Sequence, residues 1–113
     1  MRYLLLLYGA PVRPEEIPPG ELEAHMAFTR ALTEAGALVA SAPLAPPETA
    51  RTVRLKRRER LVVDGPFAET KEVLGGYYLI EAESLDAAVD WAKRLDSDLD
   101  GSIEVRPLLS IPG

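Results

Sequence analysis

The order of apolar and polar residues near the start of the chain predicts a strand followed by a helix. Residues 2–8, RYLLLLY, are apolar at almost every position, which is typical of a strand covered on both faces. Four prolines predict an irregular loop over residues 9–20. Residues 21–35 then repeat with a helical period and precede Gly36, a residue type that often ends helices.

One face of the predicted helix should be buried. At about 100° per residue, one side of the helix carries Leu22, Met26, Phe28, Leu32 and Ala35. His25 lies near the middle of this apolar arc. Its side chain is therefore expected to point into the protein.

The remaining patterns complete an α+β arrangement. Alternation in residues 51–56 and 60–64 indicates a hairpin, and Ser84 is a suitable N-cap for a second helix that reaches about residue 95. Further strands are predicted at residues 37–42, 76–82 and 102–107, and Gly75-Gly76 is expected to mark a β-bulge or a close backbone approach. This order predicts a single domain, residues 1–113, with a ferredoxin-like split βαβ topology and an inserted hairpin. The sheet is antiparallel, with both helices on one face.

The predicted sheet has a second face that no helix covers. The first strand nevertheless carries apolar side chains on both faces. A second copy of the chain packed sheet-to-sheet would bury them, and symmetric dimers are the commonest oligomers. We therefore expect a homodimer or a higher even-numbered oligomer.

Composition narrows the classes of partner. The chain is 47% hydrophobic and 27% charged, as in ordinary globular proteins. Its net charge of −5 argues against nucleic-acid binding, and we interpret the basic residues between positions 51 and 60 as protection of an exposed strand edge. No apolar stretch is long enough to span a membrane, so no membrane partner is expected.

The inventory of reactive residues is small. The chain has no cysteine, which rules out disulfides and thiolate sites and suits the cytoplasm. With a single histidine, His25, it cannot build a multi-histidine metal site within one chain. No nucleotide or phosphate motif appears either, so we expect neither a cofactor nor a metal.

The candidate site residues each have a structural and a functional interpretation. His25 is either a buried histidine satisfied by one hydrogen bond or a general acid or base, since imidazole titrates near neutral pH. Asp64 opens an Asp-Gly-Pro turn, where an aspartate commonly accepts backbone hydrogen bonds. The candidate ligand-binding residues are the aromatic side chains Tyr8, Phe67, Tyr77 and Tyr78.

Several segments resemble one known family. Residues 63–72, VDGPFAETKE, and residues 75–81, GGYYLIE, resemble the signature of the YCII-related, DGPF-motif family. The strand at 103–107, IEVRP, and the order of first strand, helix and glycine are also similar, so the resemblance covers nearly the whole chain. It implies a ferredoxin-like fold assembled as a dimeric α/β barrel.

The resemblance also implies a site. The wider family carries a proposed His–Asp pair in a pocket beside the sheet, and His25, eleven residues before Gly36, and Asp64 of the motif match it. In that role Asp64 would orient the imidazole and stabilise its charged form, as a carboxylate does in a catalytic triad.

Two functions stay open. In the first, a cleft beside the sheet holds a small organic molecule on which His25 and Asp64 perform acid–base chemistry. Similarity to a dehydrochlorinase of a chlorinated hydroquinone is known in the wider family and accords with this. In the second, the chain is a non-catalytic ligand-sensing or interaction module in transcriptional or stress regulation. Genes of this type often neighbour those of extracytoplasmic-function sigma factors.

Overall fold

A computed structural model of the chain describes residues 1–68, 70–97 and 99–111. Its elements are β1 (Arg2–Gly9), α1 (Glu21–Glu34), β2 (Leu38–Pro43), β3 (Arg51–Lys56), β4 (Glu59–Asp64), β5 (Val73–Glu81), α2 (Leu85–Ala92) and β6 (Gly101–Pro107). The predicted order of elements is confirmed. The protein is an α+β fold with an antiparallel sheet and two helices.

The main sheet has four strands in the order β2-β5-β1-β6, and every neighbouring pair is antiparallel. Leu5 of β1 lies opposite Tyr78 of β5 on one side and Val105 of β6 on the other. Both helices pack on the face that carries Leu5. The buried core consists of Tyr3, Leu5, Phe28, Leu32, Ala37, Tyr78, Ile80, Ala88 and Ala92.

Local residues set the helix ends. The hydroxyl of Ser84 accepts a hydrogen bond of 3.1 Å from the backbone N–H of Ala87, so it caps α2 as predicted. After α1, Gly36 takes a left-handed conformation with φ of 69°, which glycine adopts without steric cost. Within the described residues, neither helix is long and apolar enough to cross a membrane.

The buried face of α1 differs from the predicted one. Leu22, Met26 and Ala35 were expected on the buried side, but all three are exposed. Phe28 and Leu32 are buried as predicted, and the third buried residue of the helix is Glu21. The prediction was wrong because it ranked positions by side-chain polarity, whereas a glutamate with hydrogen-bond partners can be buried at little cost.

The opposite face of the main sheet carries half-buried apolar residues and no helix. Leu4 and Leu6 of β1 alternate with the core residues, and Tyr77 and Leu79 of β5 lie opposite them. The hairpin β3–β4 does not join this sheet. Among the described residues its strands pair only with each other, and we call this segment, residues 51–64, the arm.

Two glycines shape the backbone at one end of the sheet. The register of β1 against β5 jumps from Leu7–Gly76 to Tyr8–Leu74, so Gly75 forms the predicted bulge. Gly101 lies against the backbone carbonyl of Tyr8 so closely that a Cβ atom there would collide with it. The bulge and the close contact lie at the sheet end that carries the candidate site.

Candidate functional site

The candidate site is centred on His25, in the second turn of α1. Its Nε2 lies 3.1 Å from Oε1 of Glu21, and its Nδ1 lies 3.0 Å from the hydroxyl oxygen of Tyr78. A carboxylate can only accept hydrogen bonds, so Nε2 carries a hydrogen and donates it to Glu21. The imidazole is therefore held at both nitrogens, as its predicted inward direction requires.

The helix places Glu21 beside the imidazole. The two residues are separated by four positions, so their side chains lie on the same face of α1. The Glu21 side chain is only 10% exposed, and its Oε1 also accepts a hydrogen bond of 2.7 Å from the hydroxyl of Ser97. The first turn of a helix also favours a negative charge. Together these groups make a buried carboxylate stable at this position.

Tyr78 and Thr29 allow the imidazole to exist in either charge state. When His25 is neutral, the Tyr78 hydroxyl donates to Nδ1. When His25 is protonated, Nδ1 donates to Tyr78, and the Tyr78 hydrogen can turn toward Oγ1 of Thr29, 3.4 Å away. That oxygen is available as an acceptor because the Thr29 hydrogen is donated to the His25 carbonyl at 2.9 Å. Neither state leaves a buried polar group without a partner.

A cleft of about 810 Å³ opens beside this network. It is lined by residues 7–14, 44–48, 73–75 and 99–103, together with Glu21, His25 and Ser97. Tyr78 does not line it. A ligand in the cleft would therefore meet the Glu21–His25 edge of the network, with the tyrosine behind it.

The four aromatic residues that were predicted to bind a ligand lie in different parts of the structure. Tyr8 lines the cleft, and Tyr78 is buried behind His25, where the ring of Phe28 packs edge-on against it at 4.9 Å. Tyr77 lies on the opposite, helix-free face of the sheet. Phe67 is 76% exposed, beside Arg54 of the arm. Of the four, only Tyr8 lines the cleft.

Within one chain, Asp64 does not contact His25. Its side chain is 94% exposed at the base of the arm, and its ion-pair partner is Arg51, at 3.6 Å. Both nitrogens of His25 already have other partners. Glu21 thus occupies the position beside the imidazole that the resemblance gives to Asp64.

Sequence reasoning missed Glu21, Ser97 and Thr29. In the sequence, Glu21 looks like an ordinary exposed acidic residue in the first turn of a helix. Its spacing of four residues from His25, the single histidine of the chain, nevertheless indicated that the two side chains lie on the same helix face. No comparable signal pointed to Ser97, which approaches from the loop after α2. Among the residues that the structure describes, no three histidine, aspartate or glutamate side chains cluster as metal ligands would.

Comparison with known proteins shows to which family this chain belongs. The family model of the YCII-related domain matches residues 1–112, nearly the whole sequence. The chain belongs to the YCII-related family. This YCII-related protein is also similar to an uncharacterized protein of Rhizobium meliloti, with 50% identity over 84 residues that cover 73% of the chain and 68% of the relative. The similarity thus extends through most of both proteins.

Proposed function

We propose that the YCII-related protein binds a small organic molecule in the cleft and that Glu21 and His25 exchange protons with it. One observation carries the proposal: the imidazole of His25, hydrogen-bonded to the buried carboxylate of Glu21, lies in the wall of a cleft of about 810 Å³. Small-molecule sites commonly have volumes of roughly 300–1,000 Å³ and combine apolar walls with a few placed polar groups.

The composition of the cleft supports a ligand with an apolar body. Leu7, Val12, Leu44, Leu74 and Ile103 all line it. Glu21, His25 and Ser97 supply polar groups on one side of the cleft, and charged residues of both signs, including Arg13 and Glu48, line other parts. A ligand with one polar or acidic group on an apolar skeleton fits this distribution.

The proposed chemistry is general acid–base catalysis. The carboxylate of Glu21, which lines the cleft, takes the proton from the ligand and becomes a neutral carboxyl group, while the Nε2–H of His25 holds it in position. Tyr78 binds the other imidazole nitrogen and so keeps Nε2 directed at Glu21. Acid–base groups of this kind contribute typically about 10²–10⁴-fold to a rate.

Binding can be tested by mapping NMR shifts with a panel of small phenols, ketones and carboxylic acids. We expect shifts at residues 7–14, 44–48 and 73–75. Leu44→Trp should weaken them by filling the cleft, while Leu22→Trp, on the exposed side of α1, is the matched control. Shifts confined to other surfaces, or equal binding by both variants, would contradict the proposal.

Proton transfer has a separate test. Exchange of acidic C–H hydrogens of the panel compounds into D₂O can be followed by proton NMR. We expect His25→Gln and Glu21→Gln to abolish exchange that Asp64→Asn retains. Equal exchange by all variants would show that neither His25 nor Glu21 takes part in the proton transfer.

A non-catalytic ligand-binding module is the second candidate. The observation that favours it is that both nitrogens of His25 already have partners within the chain. In this case the network only shapes the cleft wall. The panel would then bind at the cleft, but no compound would exchange hydrogens faster than in buffer.

We also infer a homodimer formed through the helix-free sheet face. The half-buried Leu4, Leu6, Tyr77 and Leu79 support this, because an apolar sheet face is normally covered. Leu79→Lys should shift sedimentation toward the monomer, whereas Leu22→Lys should not. Wild-type protein that stays monomeric at micromolar concentration would overturn the inference.

A further inference from the structure

The arm stands away from the rest of the chain. Its base is closed by a hydrogen bond of 2.7 Å from the N–H of Gly65 to the carbonyl of Ala50 and by one of 2.9 Å from the Thr52 hydroxyl to the Gly65 carbonyl. Within the described residues, its strands have at most marginal contact with the main sheet and the helices. The radius of gyration is 15.9 Å, whereas a compact domain of this length has about 13 Å.

The arm lacks the packing that a hairpin ordinarily needs. An isolated two-stranded hairpin is marginally stable in water and requires a further layer against one face. Here both faces are exposed: Val53, Leu55 and Val62 lie on one, and Leu61 and Val63 on the other. Leu55 is 72% exposed. The arm therefore has apolar surface that a partner would bury.

Charge indicates what kind of partner this is. Six of the chain's 13 basic residues and two of its 18 acidic residues lie in the arm, so the arm carries +4 and the rest of the chain −9. The surface that complements a basic, apolar arm is acidic and partly apolar. The body of a second copy of this chain has both properties.

Nucleic acid fits less well. The arm contains no aromatic residue on which bases could stack, and the acidic remainder of the chain repels phosphates. The same negative charge would attract the basic arm of another copy.

We propose that the arm docks on the body of a second copy, with its apolar residues buried and its basic residues facing acidic ones. In a two-fold dimer the exchange is reciprocal, so each copy gives one arm and receives one. This contact is additional to the sheet-face contact and independent of the chemistry proposed for the cleft.

Charge reversal in the arm tests the proposal. The variant Lys56→Glu with Arg58→Glu reverses two positive charges and so makes the net charge of the arm zero. Both side chains are exposed at the end of the arm. The matched control is Arg30→Glu with Lys71→Glu, which changes the net charge equally at exposed sites outside the arm. By sedimentation equilibrium at low salt, we expect the arm variant to weaken self-association by at least about tenfold and the control, which makes the body more acidic, not to weaken it. Salt should weaken the wild-type association.

A second variant tests the apolar part. Leu55→Ser with Leu61→Ser removes two exposed leucines and should also weaken association, with an unchanged circular dichroism spectrum as evidence of folding. Association that is unaffected by both arm variants but lost in Leu79→Lys would overturn arm docking and leave the sheet-face dimer. Binding of a duplex DNA or single-stranded RNA probe that the charge reversal abolishes, with association unchanged, would overturn it in favour of a nucleic-acid partner.

Discussion

The main sheet and the arm are both antiparallel and rich in aliphatic residues, but only the sheet has a covered face. Leu5 in β1 is fully buried beneath the helices, whereas Leu55 in β3 is 72% exposed. Both residues belong to regularly paired strands. Regular strand pairing therefore says nothing about whether a leucine contributes to the stability of the single chain; the layer packed against it decides that.

Polar residues differ between the two regions in the same way. In the body, Glu21 is buried and His25 is half-buried, and each has a hydrogen-bond partner on a neighbouring element. At the base of the arm, Arg51 and Asp64 lie 3.6 Å apart in open solvent. An exposed pair of this kind is worth about 0–1 kcal/mol, while a buried group that loses its partner costs more.

The largest expected difference is between the two leucines. Leu5→Ala should lower the free energy of unfolding by about 2–5 kcal/mol, because it leaves a cavity in the core. Leu55→Ala should change it by less than about 0.5 kcal/mol in dilute, monomeric protein. Urea denaturation measures both. A large loss for Leu55→Ala in the monomer would mean that the arm packs on its own chain.

The close approach of β1 and β6 gives the next largest effect. Gly101→Ala introduces a methyl group against the carbonyl of Tyr8, and we expect a cost of about 1–3 kcal/mol. Gly9→Ala is the control, since its nearest atom would be the Asp100 carbonyl oxygen at an ordinary 3.6 Å. Equal thermal stabilities of the two variants would contradict the tight contact.

The third comparison is between the Glu21–His25 pair beside the cleft and the exposed Arg51–Asp64 pair. His25→Ala removes a partner from the buried Glu21 and from Tyr78, and should cost about 1–3 kcal/mol. Asp64→Ala should cost at most about 1 kcal/mol, because its ion pair is solvent-exposed. Denaturation curves that rank Asp64→Ala as the more damaging change would contradict this ranking.

The smallest effect concerns an exposed ion pair on the body. A hydrogen bond of 3.0 Å from Nε of Arg2, aided by the amino terminus, lowers the pKa of Glu81 below its ordinary value. The stabilisation is therefore complete above the ordinary pKa and is lost as the pH falls through the lower pKa of the folded state. In a carboxyl NMR titration, Arg2→Gln should raise the pKa of Glu81, and Arg51→Gln should leave it unchanged. An unchanged pKa in Arg2→Gln would contradict the assignment.

The fold could be predicted from the sequence because each element has a strong local signal. The apolar run of β1, the cap at Ser84 and the glycine after α1 each determine local backbone structure, and their order leaves few topologies. The alternation in residues 51–64 likewise predicted a hairpin. It could not show that the hairpin stands apart from the sheet, because that depends on long-range contacts.

The site was less predictable. His25 was expected to point inward, and it does contact the buried Tyr78, although Leu22 and Met26, which helped to define the predicted face, are exposed. Its side-chain partners are Glu21, one helical turn earlier, and Tyr78 on β5, while Ser97 in the loop after α2 bonds to Glu21. A polar network of this kind is selected by tertiary geometry, which a hydrophobicity pattern does not report.

The partner of His25 is tested most directly by nitrogen NMR of the imidazole. The chain has one histidine, so its two ring nitrogens can be observed without ambiguity. In the neutral imidazole we expect the hydrogen on Nε2, because that nitrogen donates to the carboxylate of Glu21. Glu21→Gln should shift the Nε2 signal, Asp64→Asn should leave both signals unchanged, and a compound that binds in the cleft should perturb the same resonances. A spectrum that responds to Asp64→Asn but not to Glu21→Gln would contradict the assignment of Glu21 as the partner of His25.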